Sequence, residues 1–270
     1  EVQKPVITAA RALGLAAGSE PLPEVGALKS LYDYGFRPRA GQVMMIAGQP
    51  GSLKSMFAQW YVTNMGIPTL YFCADSDSNT AITRLIAERT GYLTDQIVEA
   101  LENGGEEYYE RYLKDSQIHF CFDSGPTLGD IAEELEAYIE LWDRFPRVIL
   151  VDNLVNVEAE MGEEYSGMRL ISKELHRLSR ETGAAVIVLH HMREVGNPLR
   201  PQPRTDLDGK VAKLPERILS VAFDPTERLF YIAVVKNRGG PSDPTGQQTF
   251  LLSADPARAS FLPCLYGGGW

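Results

Sequence analysis

From Gly41 onward, two apolar patterns alternate along the chain. Short runs dominated by apolar and β-branched residues recur at Val43–Ala47, Thr69–Ala74, Gln117–Phe122, Val148–Val151 and Ala185–Leu189. Between them lie segments with apolar residues at helical spacing. These are Lys54–Met65 with Phe57, Trp60, Tyr61 and Met65, and Asn79–Arg89 with Ile82, Leu85 and Ile86. A third carries Leu128, Ile131, Leu135, Tyr138, Ile139 and Trp142, and a fourth Met168, Ile171, Leu175 and Leu178. Runs that stay apolar throughout are buried on both faces, as in parallel strands covered by helices. From Ile218 the period changes. Ile218–Phe223, Leu229–Val235 and Thr249–Leu252 follow one another with turns between them and predict an antiparallel extension. The predicted class is α/β, a mostly parallel sheet flanked by helices with a C-terminal antiparallel extension.

Residues 1–40 stand apart. Val6–Ala17 is rich in Ala and Leu and predicts a short helix, followed by a Gly- and Pro-punctuated stretch to Pro23. Two roles are open to this segment: an arm packed on its own core, or a linker helix docking on a neighbouring subunit. The expected division is an arm over 1–40 and a single domain over 41–270. Composition changes this picture little: 44% hydrophobic and 23% charged residues are ordinary for a globular chain with a sizeable core. No apolar run reaches the length of a membrane span and no basic-then-apolar leader opens the chain, so the expectation is a cytoplasmic protein without a membrane partner. Cys73, Cys121 and Cys264 lie too far apart for a zinc or disulfide framework and read as buried free thiols. The net charge of −10 argues against a surface coated in nucleic acid and leaves only focused basic loops for such a contact.

The candidate chemistry sits where strands end. Gly48-Gln49-Pro50-Gly51-Ser52-Leu53-Lys54-Ser55 lies between an apolar strand and a helix. That is the context of a phosphate loop, in which backbone N–H groups and a helix N-terminus converge on phosphate oxygens. Lys54 reaches the β- and γ-phosphates in such a loop, and the Ser55 hydroxyl takes Mg²⁺. Leu53 stands where glycine is usual, so replacing it by glycine is expected to raise nucleotide affinity. Val148–Val151 delivers Asp152 to the carboxyl end of a buried strand, where ligands of open α/β sheets bind, so Asp152 is the second candidate for the Mg²⁺. Val186–Leu189 ends in His190 and His191. A neutral imidazole there can hydrogen-bond a γ-phosphate, and the pair also admits a metal-ligand reading, although adjacent strand residues face opposite ways.

With these elements placed, the chain resembles the motor domain of hexameric replicative helicases of the DnaB type and their RepA-like relatives, with a RecA-like P-loop core. The likeness covers roughly residues 35–255. It rests on Gly48–Ser55, the strand ending at Asp75, Val148–Asp152, Val188–His191, and Lys236-Asn237-Arg238-Gly239-Gly240 with Thr245-Gly246. The resemblance implies ATP and Mg²⁺ as cofactors. It makes Asp75 the base that orients the attacking water, with Asp77 as alternative, and His191 the γ-phosphate sensor. It implies that Lys236 and Arg238 reach across a subunit interface, Arg238 as a finger supplied in trans within a hexameric ring. Two loops would face the ring centre. One, Glu158–Gly167, is acidic; the other, Met192–Leu214, offers Arg193, Arg200, Arg204, Lys210 and Lys213 to single-stranded DNA or is a solvated loop. The implied function is an ATP-dependent DNA helicase or translocase in replication or recombination, in a minimal form without the primase-contacting domain of full DnaB. A RecA/RadA-like recombination ATPase and a KaiC-like nucleotide-gated assembly protein with weak ATPase activity use the same residues and stay open.

Overall fold

The computed structural model describes residues 19–158 and 164–264, apart from the side chains of 164–166, 209 and 210. The expected helix over Val6–Ala17 and most of the acidic loop after Glu158 lie outside the described residues. Nine strands form one sheet in the order β3-β2-β4-β5-β1-β6-β7-β8-β9. The strands are β1 Val43–Gly48, β2 Thr69–Cys73, β3 Ile118–Cys121, β4 Val148–Asp152, β5 Ala185–His191, β6 Arg217–Asp224, β7 Leu229–Asn237, β8 Thr249–Asp255 and β9 Ser260–Pro263. The first six run parallel. β7, β8 and β9 return antiparallel, as the change of period predicts.

Helices cover both faces because β1 and β4 are buried at every position. The helices are α1 Lys29–Asp33, α2 Lys54–Met65, α3 Ser78–Thr90, α4 Thr94–Glu102, α5 Glu106–Lys114, α6 Leu128–Trp142 and α7 Glu164–Thr182. Met44, Ile46, Tyr71, Leu150, Ile187 and Leu189 pack on one face against Phe57 and Tyr61 of α2. Val43, Met45, Leu70, Phe72, Ile149 and Val151 pack on the other against Ile131 and Leu135 of α6 and Ile171 and Leu175 of α7. Leu22, Val25, Leu28, Leu31, Tyr32 and Phe36 join the first of these cores, so the described part of the N-terminal segment packs on its own domain.

Local chemistry sets the helix ends. α2 stops at Gly66, whose φ of 62° is the left-handed conformation that glycine takes without penalty. Thr127 and Asp130 exchange hydrogen bonds at the start of α6, satisfying backbone donors that have no helical partner. α4 and α5 bury one residue each, Ile97 and Tyr109. Both are amphipathic but only 9 residues long, too short for their period to stand out in the sequence.

Candidate active site

Because β1, β2, β4 and β5 are parallel, Gly48, Cys73, Asp152 and His191 all lie at the carboxyl edge of the sheet. The register pairs Gly48 with His191 and Cys73 with Asp152. The phosphate loop closes over this edge. A Cβ on Gly48 would come within 2.8 Å of the Val221 carbonyl, so only glycine fits there. Leu53 immediately precedes α2 with φ 61° and ψ 20°, a left-handed conformation that glycine takes without penalty. Its side chain packs against the first core rather than across the loop. Gln49 is buried and its amide donates to the carbonyls of Val195 (2.9 Å) and Arg193 (3.3 Å), tying the loop to the segment after β5.

Lys54 is 6% exposed. Burial pushes its pKa down, and the carboxylates of Asp152 and Asp75 push it back up. Asp152 is fully buried at the end of β4. Its pKa is raised to about 6, chiefly by burial and further by the charge of Asp75, against the opposing effect of the Ser55 hydroxyl. Tyr71 on β2 donates its hydroxyl to Asp152 Oδ2 at 3.1 Å, while Oδ1 is buried without a partner among the described residues. A buried carboxylate with one oxygen free of hydrogen bonds among the described residues, close to a serine hydroxyl, is the hard-oxygen donor set that Mg²⁺ takes alongside phosphate oxygens. Ser55 and Asp152 therefore fit the ion the sequence assigns to them.

Asp75 is exposed at the mouth of the site and close enough to Lys54, Asp152 and His191 to shift their protonation. Asp77, the alternative base, is used otherwise. Its carboxylate accepts from the Thr80 backbone at 2.8 Å as the N-cap of α3.

His190 and His191 diverge. His190 is fully buried and bonds the Asp208 carbonyl at 3.0 Å; His191 Nε2 lies 2.8 Å from Asn153 Nδ2. Burial lowers both pKa values, and the Lys54 charge adds to this, so both rings are neutral near pH 7. Among the described residues no group of three His, Cys, Asp or Glu side chains is placed to hold a metal. Tyr71 and Asn153 touch the site without being legible in the sequence, since they read as an ordinary strand residue and the start of a loop.

The remaining candidates lie elsewhere. Arg238 N bonds the Glu216 carbonyl and Glu216 N bonds the Val43 carbonyl, so Arg238 is level with the start of β1. At about 3.3 Å per residue that is roughly 16 Å along the strand from Gly48, on the opposite edge of the sheet. Its side chain is 62% exposed and 3.5 Å from Glu216 Oε1. Lys236 lies close enough to feel the charge of Arg238 but is engaged differently: its Nζ donates to the carbonyls of Ala212 (2.8 Å) and Lys213 (3.0 Å). Met192–Leu214 is held by buried Met192, Leu207 and Val211. Within it Arg193 pairs with Asp206 (3.0 Å) and Arg200 with Asp224 (3.0 Å) while lying over the Tyr231 ring. Arg204 and Lys213 stay exposed near Lys236. The Lys210 side chain lies outside the described residues.

A phosphate loop, a serine and an aspartate whose oxygens suit Mg²⁺, and a strand-end histidine on one carboxyl edge make a P-loop ATPase-type site on a RecA-like core. The chain belongs to the AAA domain family, whose model matches residues 23–197. It is 34% identical over 241 residues to the Gene 65 protein of Mycobacterium phage L5, covering 86% of this chain and 88% of that one. It is 35% identical over 220 residues to the Gene 65 protein of Mycobacterium phage D29, covering 78% and 94%. Among solved structures, an isolated ATPase domain matches with a TM-score of 0.74 at 17% identity, over 97% of this chain and all (100%) of that one. A DnaB-like replicative helicase, solved with its interactions with primase, matches with a TM-score of 0.74 at 17% identity, over 98% of this chain and 68% of that one. The fold is thus the RecA-like ATPase fold of DnaB-like helicase domains, as the motif order predicts.

Proposed function

We propose that this chain is the Mg²⁺-dependent, ATP-hydrolysing motor of a ring-forming helicase or translocase on single-stranded DNA. The observation that carries the reading is the division of the chemistry between two edges of one sheet. Lys54, Ser55, Asp75, Asp152 and His191 gather at the carboxyl edge, whereas the exposed Arg238 stands at the other edge. Arg238 thus stands where it can serve the phosphates of a second copy across an interface, and repetition of that head-to-tail contact makes a ring when its rotation closes.

In this reading Lys54 binds the β- and γ-phosphates, Ser55 and Asp152 hold the Mg²⁺, and Asp75 orients the attacking water and accepts its proton. Held there, the ion would supply neutralisation of the charge on the phosphate oxygens. Arg238 of one copy stabilises the charge developing on the ATP of its neighbour. Among the described side chains of Met192–Leu214, Arg204 and Lys213 are the basic ones left to contact a phosphate backbone. The likeness to a DnaB-like replicative helicase favours replication over recombination as the setting, with replication proteins as partners.

The test is steady-state ATP hydrolysis by the wild type and Lys54→Ala, each with and without single-stranded DNA. The expected result is DNA-stimulated turnover that the substitution abolishes. Turnover indifferent to DNA would overturn the motor reading. It would favour the nucleotide-gated assembly protein.

A further inference from the structure

Asn153 is 1% exposed and immediately follows the metal-holding Asp152. Its Oδ1 accepts the Val155 backbone N–H at 3.1 Å. That bond fixes which way the amide lies, because an N–H can meet only the oxygen. Nδ2 is thereby aimed at His191 Nε2, 2.8 Å away. An amide NH₂ is a donor alone, so Nε2 must accept, and in a neutral imidazole the proton then sits on Nδ1. His190 is held the other way. Its Nε2 meets the Asp208 carbonyl, an acceptor alone, so Nε2 carries the proton, and its buried Nδ1 has no partner among the described residues.

We infer that Asn153 is a positioning residue that locks His191 in the Nδ1–H tautomer, opposite to that of its neighbour His190, and so presents His191 with a fixed donor for an anionic ligand. A phosphate oxygen accepts hydrogen bonds and never donates them when ionised. A histidine that reads a γ-phosphate must therefore offer an N–H, and it must do so while neutral to respond by geometry rather than by charge. Asn153 satisfies both demands and also links the end of β4 to the end of β5. A shift of the metal-holding strand end on nucleotide turnover would be felt at His191 through one hydrogen bond. This step rests on the γ-phosphate-sensing reading of His191; the tautomer itself does not.

The experiment is a long-range ¹⁵N–¹H correlation spectrum of full-length protein labelled at histidine. The chain has only 4 histidines, and a His191→Gln sample assigns the one in question. The expected wild-type spectrum shows His191 protonated at Nδ1 and His190 at Nε2. His191 protonated at Nε2 would overturn the proposal, whether or not any variant folds. Asn153→Asp keeps the bond to the Val155 N–H but replaces the amide donor by an acceptor. It is expected to move the His191 proton to Nε2 and to lower kcat about 10- to 100-fold, the range usual when an orienting partner is lost, with ATP affinity changed less than about 3-fold. Asn153→Ala, which adds no charge beside Asp152, is expected to show both tautomers and an intermediate kcat. An unchanged His191 spectrum in both variants would also overturn the proposal. A spectrum with the inferred tautomers that is identical with ADP and with a non-hydrolysable ATP analogue would leave the positioning role standing and remove the sensor reading instead.

Discussion

Leu53 shows how a side chain can break a motif without breaking the site. A left-handed backbone costs a non-glycine residue roughly 1–2 kcal/mol, yet Leu53 adopts it at φ 61° and recovers part of that cost by packing on the core. The sequence alone predicts that glycine would bind nucleotide more tightly; the left-handed backbone at Leu53 and its packing on the first core argue for a smaller effect. Leu53→Gly should therefore leave nucleotide affinity within about 3-fold, well under 1 kcal/mol, in a fluorescent-nucleotide titration. A tenfold gain would show that the side chain obstructs the loop after all. Tyr71 is the complementary case, a strand residue that reads as core and acts on the site. Removing its hydroxyl leaves Asp152 Oδ2 buried and unbonded, so Tyr71→Phe should raise the Mg²⁺ concentration needed for half-maximal nucleotide binding about 10-fold. An unchanged Mg²⁺ titration would show that Asp152 is oriented without it.

At the scale of elements, β7 decides what Arg238 can do. Had β7 run parallel to β6, its end would lie beside the phosphate loop and Arg238 could act on its own nucleotide. Antiparallel pairing sends it to the other edge instead. Arg238→Ala is expected to keep ATP binding and abolish turnover. Mixing it with Lys54→Ala subunits should restore part of the activity, because interfaces form in which an intact phosphate loop meets an intact Arg238. Failure of the mixture to recover any turnover, with both variants assembling normally, would place the arginine's role within its own chain. Lys236 is not equivalent to Arg238, since it closes the segment ending at Lys213.

For the molecule as a whole, stability should depend on pH through a group far from the site. Glu88 at the end of α3 has its pKa raised to about 8 by burial, against an ordinary value of 4.5, and accepts from the Asn64 amide at 2.6 Å. Between these two values the folded chain holds a proton that the unfolded chain has released. Stability therefore falls as pH rises from about 4.5 to about 8, by an amount on the order of a few kcal/mol. Glu88→Gln keeps an acceptor for Asn64 and cannot ionise, so its Tm should exceed that of the wild type at pH 8 and lose most of the slope between pH 6 and 8. Equal slopes in the two proteins would assign the pH dependence to other groups.

The sequence by itself determined the order of strands and helices through the core, the phosphate loop, and the placing of Asp152 and His191 at strand ends. Each is written in local spacing: period 2 against 3.6, a glycine-rich turn before a helix, an acid closing a buried run. Helices α4 and α5 escaped although they are amphipathic, because each is 9 residues long, too short a window for its period to stand out. Tertiary structure alone decided the rest. It divided the basic residues after β5 into those paired internally and those left exposed. It also brought Tyr71, Asn153 and His191 together from three neighbouring strands and their ends, and set Arg238 on the far edge. These outcomes depend on sheet order and register, which arise from packing between segments distant in the chain. No local pattern of residues encodes them.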